Sequence, residues 1–494
     1  MHKPAPSATH RLFHQCILST SSRARVQGRW WGLAILLHVL VLGLAGFLAG
    51  TMSVVTNPGD EPQRNAVVET AMWDIGGDLV SVRDGRLTDL RVGRGITRPG
   101  APNQVGDGPS AEGGTNPSPD HETDGEYTLP KPDPSKNRSG GTKATERAVS
   151  GGLNWLSRHQ NADGSWSFDG HSKHCKDTSC TGDGVNQSTA AATAFALLPF
   201  LAAGQTHQSK GPYQAIIIKG LDSLKQSALP DGNLQRSVRS NYAQGIATIA
   251  LCEAYGMTKD ENLKDPAQQA IHYIISAQHP ELGGWHYYPP GVTPTAGDLS
   301  VTGWQLQALK SAELAGLDVP PEVWDKARKF LASVSKGKSG GLCSYMVESG
   351  PTPAMTAVGM LSKQFLGTKR DDPALIEGAE YLLQNKPGES ARNTYYFYYA
   401  TQAMHNQSGS AWDEWNRATR KYLIETQEKK GCASGSWNPE LPRKDVFADE
   451  GGRLLLTSMN TLNLEVYYRF LPLYKLDKPD KPDVAPPEPK PPTP

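Results

Sequence analysis

The chain has 494 residues, its 50 lysines and arginines are balanced by 50 aspartates and glutamates, and 37% of its residues are apolar. A neutral chain offers no basic surface for phosphate groups, so we expect no nucleic-acid partner. Six cysteines in this length are too few for a fold built on disulfides.

The amino terminus carries a long apolar segment. Residues 30–55 contain no Asp, Glu, Lys or Arg; every charge before them is basic, and the first charges after them are Asp60 and Glu61. A helix of this length crosses about 30 Å of hydrocarbon. The charge asymmetry predicts a cytoplasmic basic leader at residues 1–29 and an exported remainder. A cleaved signal peptide is the alternative, but the long apolar run and leader favour an uncleaved single-pass membrane anchor at residues 30–55.

Two segments have the composition of disordered chain. Between residues 56 and 145, Gly, Pro, Asp, Asn and Ser predominate from residue 98 onward, and only a weak alternation over Leu79–Val92 is compatible with a small hairpin. We predict a flexible linker at residues 56–145. Residues 476–494 are rich in Pro and charge and predict a disordered tail.

One pattern recurs between residues 146 and 475. Residues 148–166, 270–285 and 418–437 each contain an aromatic-aliphatic pair, a Gln four residues later and a closing Gly-x-Trp. Degenerate copies begin near residues 219, 326 and 376, and an apolar helix candidate rich in small residues follows every copy. The glutamines and tryptophans of the three good copies are Gln160 and Trp166, Gln278 and Trp285, and Gln427 and Trp437.

The spacing of the copies predicts the fold class. Trp285 and Trp437 are 152 residues apart, or three units of about 51. Six such units predict an all-α (α/α)6 toroid of six helix pairs, with amphipathic helices outside and apolar helices inside. An open solenoid is the alternative, and it is disfavoured because it leaves one face of each helix in water.

The first copy carries a resemblance to a known family. Residues 152–166, GLNWLSRHQNADGSW, resemble the QW repeat of the squalene-hopene and oxidosqualene cyclases. The wider superfamily, which includes protein prenyltransferase β subunits, has the α/α-toroid fold. The resemblance implies that the Gln side chain bridges backbone groups at a helix end and that the Trp ring stacks beside it. It therefore implies a structural role for the six Gln and Trp residues. The resemblance is stronger evidence for the fold than for a catalytic activity.

The resemblance also points to a catalytic position. These cyclases protonate a polyene with the middle Asp of an Asp-x-Asp-Asp motif that faces an aromatic cavity. Aligned with this motif, residues 298–302 (DLSVT) keep the first acid as Asp298 and place Ser300 at the proton donor. A hydroxyl group is too weak an acid for this step, so the usual cyclase activity is not expected. Asp298 and Ser300 are the candidate catalytic residues of a cyclase-like isomerase that uses another acid.

Helix starts point into the cavity in that family, which predicts an apolar pocket with a few polar groups. Packing in the core is the alternative for each of its side chains. The candidate ligand-binding residues are Tyr242, Trp304, Tyr395, Tyr396 and Asn460.

Metal-capable residues gather in the insertion at residues 171–186. The zinc ligands of the prenyltransferases are absent, because Gly341 stands two residues before Cys343 where an Asp is required. In an oxidising compartment a Cys-x4-Cys pair closes easily. We therefore predict a Cys175–Cys180 disulfide, no metal and no cofactor. Zinc is the alternative, and its ligands would come from His171, His174, Cys175, Asp177 and Cys180.

These observations predict a membrane-anchored, exported toroid that binds an apolar, isoprenoid-like ligand or a protein partner of the cell envelope. The first alternative is the terpenoid cyclase-like isomerase. The second is a glycan-active (α/α)6 enzyme, which needs two carboxylates beside a cleft; its candidates are Glu281, Asp298 and Glu348.

Overall fold

The computed structural model describes residues 81–83, 86–88, 141–234, 240–288, 297–388 and 392–467. These residues all belong to the unit that spans residues 64–494. The predicted anchor at residues 30–55, the leader, most of the linker and the tail lie outside the described residues. Within the described ranges, no helix combines the length and the apolar character that a membrane span requires.

The described ranges contain twelve α-helices and four short strands. Strands β1 (Ser81–Arg83) and β2 (Arg86–Thr88) pair antiparallel, which agrees with the hairpin in the predicted linker. Strands β3 (Ser335–Lys336) and β4 (Leu342–Cys343) form a second antiparallel pair. The helices are α1 (Lys143–Arg158), α2 (Thr189–Ala202), α3 (Gln214–Ser227), α4 (Asn241–Thr258), α5 (Glu261–Ser276), α6 (Leu299–Ala315), α7 (Pro321–Val334), α8 (Pro353–Phe365), α9 (Pro373–Leu383), α10 (Thr394–Gln407), α11 (Gly409–Thr426) and α12 (Gly452–Leu464).

The even-numbered helices form a closed inner ring. Each packs against the next even-numbered helix, and α12, the last, packs against α2, the first. Almost every residue of α2, α4 and α6 is buried. Their composition explains this position, because a helix that is apolar on all sides must be covered on all sides. The predicted all-α toroid of six helix pairs is confirmed.

The odd-numbered helices form the outer layer and bury one stripe each. In α1 the buried residues are Ala148, Val149, Gly152, Leu153 and Leu156, with their neighbours Thr145 and Trp155. This spacing of three and four residues gives a helix one apolar face. The helix begins before the predicted boundary at residue 146, because Thr142 and Thr145 cap each other through reciprocal side-chain hydrogen bonds of 3.2 and 2.9 Å.

Three connections, which we call the Gln–Trp turns, join neighbouring repeats. They comprise residues 160–166, 278–285 and 427–437. In each turn the Gln amide donates one hydrogen bond to a glycine carbonyl of its own turn and one to a carbonyl in an outer helix of the neighbouring repeat. The distances are 2.9 and 2.9 Å from Gln160 to Gly164 and Ile216, 2.9 and 3.0 Å from Gln278 to Gly283 and Val323, and 2.9 and 2.7 Å from Gln427 to Gly435 and Ala148.

The tryptophan of each turn is fully buried and connects the outer layer to the inner one. Its indole N–H donates to a carbonyl near the end of the preceding outer helix, at 2.9 Å for Trp166, 2.7 Å for Trp285 and 3.0 Å for Trp437. Its backbone N–H donates to a threonine hydroxyl of the following inner helix. These threonines are Thr193, Thr302 and Thr457.

Two degenerate copies keep the same backbone link with different side chains. Cys343 takes the place of the tryptophan in one, and its N–H donates to the Thr356 hydroxyl at 3.1 Å. Leu234 takes it in another, and its N–H donates to the Gln244 side chain at 2.9 Å. The hydrogen bond from a backbone N–H of the turn to a side chain of the inner helix is therefore kept in copies that lack the tryptophan.

The third Gln–Trp turn closes the ring. Its Gln427 bonds Ala148 of α1, so the last repeat holds the first. Gly435 in this turn has a φ of 93°, and a Cβ atom there would lie 2.1 Å from the Gly151 carbonyl oxygen. Only glycine permits both this conformation and this approach.

We predict that Gln427→Ala lowers the free energy of unfolding by about 1–3 kcal/mol, because two buried carbonyls lose their donor. Urea denaturation followed by circular dichroism measures this change. Gln384→Ala, at an exposed position after α9, is the control and leaves the midpoint unchanged. Equal stability of the two variants would contradict the role of Gln427 in closing the ring.

Candidate functional site at the centre of the ring

Asp298 and Ser300 lie at the start of α6, and their hydrogen bonds define their chemistry. Asp298 is 1% exposed. It caps the helix, because its carboxylate accepts from the Val301 N–H at 2.9 Å and from the Ser300 hydroxyl at 2.5 Å. The Ser300 oxygen in turn contacts the Tyr242 hydroxyl. Because Ser300 donates to the carboxylate, its oxygen accepts from Tyr242.

This chain of hydroxyl groups ends on the Asp298 carboxylate. Burial raises the pKa of Tyr242 well above its ordinary value, so the phenol keeps its proton. Both hydroxyl hydrogens therefore point toward Asp298, which acts as an acceptor.

Trp304 occupies the middle of the ring. Its indole lies 5.6 Å from the Phe195 ring of α2 and 5.3 Å from the rings of Tyr398 and Tyr399 of α10, measured between centroids. Neither α2 nor α10 is a neighbour of α6 in the ring. A side chain of α6 reaches both only by crossing the centre, so aromatic rings from three inner helices meet across the middle of the ring.

The predicted ligand-binding residues separate into two groups. Tyr395 joins Tyr242 and Trp304, because its hydroxyl lies 3.4 Å from the Ser300 carbonyl and its ring packs against Trp304. Tyr396 points the other way, toward Leu382 of α9 and the Trp415 ring of α11, so it packs between the layers. Asn460 is buried in α12, and no hydrogen bond within the described ranges joins it to the aromatic centre.

Sequence reasoning missed further aromatic residues around this centre. Tyr287 packs against Tyr242 at 5.3 Å, and its hydroxyl lies 3.0 Å from that of Tyr345. Phe168 packs against Phe195 at 6.2 Å. A signal was present, because each of the three comes two residues after the residue that closes its turn: Phe168 after Trp166, Tyr287 after Trp285 and Tyr345 after Cys343.

The remaining candidates lie elsewhere. Glu281 and Glu348 are exposed, whereas Asp298 is buried, so neither glutamate shares the surroundings of Asp298. Cys175 and Cys180 lie in the connection between α1 and α2, and the structure describes both as free cysteines instead of the predicted disulfide. A third cysteine, Cys432, shares their surroundings.

Comparison with known proteins agrees with this architecture. A family model described as the squalene-hopene cyclase C-terminal domain matches residues 138–245, which contain α1 to α3 and the first Gln–Trp turn. The toroid is terpenoid cyclase-like. Comparison with curated protein sequences gives no match.

Two solved structures illustrate what the terpenoid cyclase-like toroid is similar to. The type II terpene cyclase MstE from Scytonema is 15% identical, with 66% of this chain and 98% of that chain covered and a TM-score of 0.46. The GH76A alpha-1,6-mannanase from Salegentibacter sp. HEL1_6 is 12% identical, with 65% and 98% covered and a TM-score of 0.47.

The ring contacts of Trp304 at the centre of this terpenoid cyclase-like toroid predict that its side chain stabilises the fold. Trp304→Ala removes the ring that joins α6 to α2 and α10, and we expect it to lower the free energy of unfolding by about 3–5 kcal/mol. Urea denaturation measures the loss. Trp324→Ala in α7, at a half-buried position, is the matched control and costs less. A loss at Trp304 no larger than at Trp324 would show that the centre is not packed.

Proposed function

We propose that this chain is a membrane-anchored, exported binding protein that engages a protein partner at the cell envelope and does not cyclise polyenes. The single observation that carries the proposal is the position of Trp304, whose indole fills the centre of the ring. The uncharged segment at residues 30–55 is the proposed anchor, and the basic leader before it places the amino terminus in the cytoplasm.

The chemistry at α6 supports the non-catalytic part of this proposal. Cyclisation needs a strong carboxylic acid and an open aromatic chamber that holds the polyene. Ser300 stands at the donor position, and Asp298 accepts hydrogen bonds from Ser300 and Val301. Trp304 occupies the centre of the ring between Phe195 and Tyr398. The same packing disfavours an isoprenoid ligand inside the ring, so we look for the partner-binding site on the surface of the toroid.

The loop at residues 438–450, between the third Gln–Trp turn and α12, is held in a fixed shape. The buried guanidinium of Arg392 donates to the carbonyls of Asn438 at 2.7 Å and Leu441 at 2.5 Å. Asp445 is also buried and accepts from the Thr394 hydroxyl at 2.7 Å. A loop pinned at three points presents its side chains in one arrangement, which lowers the entropy cost of binding.

This loop exposes apolar side chains. Leu441 is 60% exposed and Val446 50%, and Val185, whose N–H donates to the Asp449 carbonyl at 2.8 Å, is 49% exposed. Among the described residues these are the three most exposed large hydrophobic side chains. Strongly exposed apolar side chains on and beside a loop of fixed shape are a feature of protein interfaces. We therefore assign the partner to the 438–450 loop and Val185.

Site-specific photo-crosslinking in living cells tests the proposal. A photo-reactive phenylalanine replaces Leu441 in one variant, Val446 in a second and Ile376 in a third. Ile376 is the matched control, because it is an exposed apolar residue of α9. We expect the same single protein adduct from the first two variants and none from the third.

Two further outcomes would contradict the proposal. One is a stoichiometric isoprenoid in a lipid extract of the purified chain, detected by mass spectrometry. The other is a cyclised product after incubation of the chain with squalene or a geranylgeranyl compound. Absence of any adduct at Leu441 and Val446 would contradict the assignment of the partner to the 438–450 loop.

A further inference from the structure

A cluster of cysteine and histidine side chains lies where the first and last repeats meet. The Sγ atoms of Cys180 and Cys432 and a ring nitrogen of His159 all lie within 4.8 Å of one another, and all three residues are buried. Cys175 lies beside this group, since its Sγ is within 4.8 Å of the Cys432 Sγ and accepts from the Cys180 N–H at 3.2 Å. Three potential ligands therefore share one point, and Cys175 is the neighbouring fourth.

His159 has the orientation of a metal ligand. Its Nδ1 lies 2.7 Å from the Trp155 carbonyl oxygen. A carbonyl oxygen can only accept, so Nδ1 carries the hydrogen and Nε2 carries the lone pair. Nε2 is buried and has no hydrogen-bond partner within the described part of the chain. A histidine fixed through its other nitrogen is the usual arrangement at metal sites.

The loops that carry the cysteines are tied to each other. The Asp177 carboxylate accepts from the Cys432 N–H at 2.7 Å, and the Ser179 hydroxyl accepts from the Ala433 N–H at 2.9 Å. These bonds hold the 175–180 segment against the 431–433 segment. Because Asp177 is engaged with backbone N–H groups, His159 is the better fourth ligand.

Two arginines supply positive charge beside the thiols. The Nη1 atom of Arg158 lies 3.6 Å from the Cys432 Sγ. The buried side chain of Arg453 is held by the carbonyl of Thr181, the residue after Cys180, at 2.7 Å and by the Ser436 hydroxyl at 2.8 Å. A divalent ion with three thiolates and a neutral imidazole has one net negative charge, which a neighbouring guanidinium offsets.

We propose that Cys175, Cys180, Cys432 and His159 bind one zinc ion in a tetrahedral Cys3His site. Sulfur and imidazole ligands in a closed set of four favour Zn²⁺ in a structural role. Zinc binding releases the thiol protons to solvent and leaves three thiolates on the metal. The site joins the connection after α1 to the third Gln–Trp turn, so the ion closes the ring at the seam that Gln427 also bridges.

Metal analysis of the full chain tests this site. The chain is purified from membranes in detergent without chelator, and zinc is measured by inductively coupled plasma mass spectrometry. We expect about one zinc per chain. In Cys432→Ser and His159→Gln we expect zinc to fall to about a tenth or less. Cys252→Ala is the matched control, because Cys252 is a buried cysteine of α4, and it keeps its zinc.

A second measurement on the unaltered chain does not depend on the folding of the variants. After zinc is removed with a chelator under reducing conditions, Co²⁺ is added and the absorption spectrum is recorded. We expect the thiolate-to-cobalt charge-transfer bands and the visible bands of a tetrahedral site, and added Zn²⁺ abolishes them. Purified chain that lacks zinc and contains a disulfide among Cys175, Cys180 and Cys432 would overturn the proposal, as would Co²⁺ without these bands.

Discussion

The contact between the last repeat and the first is the constraint on which the rest of the structure depends. Helix α12 packs against α2, and Gln427 donates to Ala148 across 279 residues of chain. Inner helices that bury almost every residue are stable only when each has a neighbour on both sides. Without this seam, α2 and α12 would each expose an apolar face, and the ring would become an open array with two unprotected ends.

Ring closure also explains why the centre is packed. Six helices around one axis direct a stripe of side chains each toward the same narrow space, and large side chains fill it. Trp304 reaches Phe195 on one side and Tyr399 on the other, and all three are buried. Asp298 then serves as a helix cap below a chain of hydroxyl groups, where a cyclase would need a free acid. The ring is held by the Gln–Trp turns, which join the outer layer to the inner helices, so its closure does not depend on an open chamber.

The fold could be predicted from the sequence, because its determinants are local and repeat. Each copy carries its own glutamine, glycine and tryptophan, and the period of about 51 residues counts the helix pairs. The apolar composition of the second helices places them inside. The weak alternation over Leu79–Val92, which is compatible with a small hairpin, coincides with the paired strands β1 and β2, since such alternation is also a local signal.

The site could be predicted only in part, because its contacts join distant parts of the chain. Tyr395 and Tyr396 are adjacent in sequence, but only Tyr395 faces the centre, since successive helical residues point about 100° apart. The spacing of Cys175 and Cys180 favours a disulfide when they are considered alone. Their proximity to Cys432 and His159 depends on ring closure, which brings together segments 255 residues apart. A short sequence motif cannot predict a contact over that separation.

Hydrogen–deuterium exchange of the full chain, followed by mass spectrometry, tests the closed ring most directly. A closed ring predicts that peptides from α2 and α12, the first and last inner helices, exchange as slowly as peptides from α6 in the middle. An open array predicts fraying, with protection highest at α6 and falling progressively toward both ends. Slow and uniform exchange across the six inner helices is the result that this account predicts, and a gradient from the middle to the ends would contradict it.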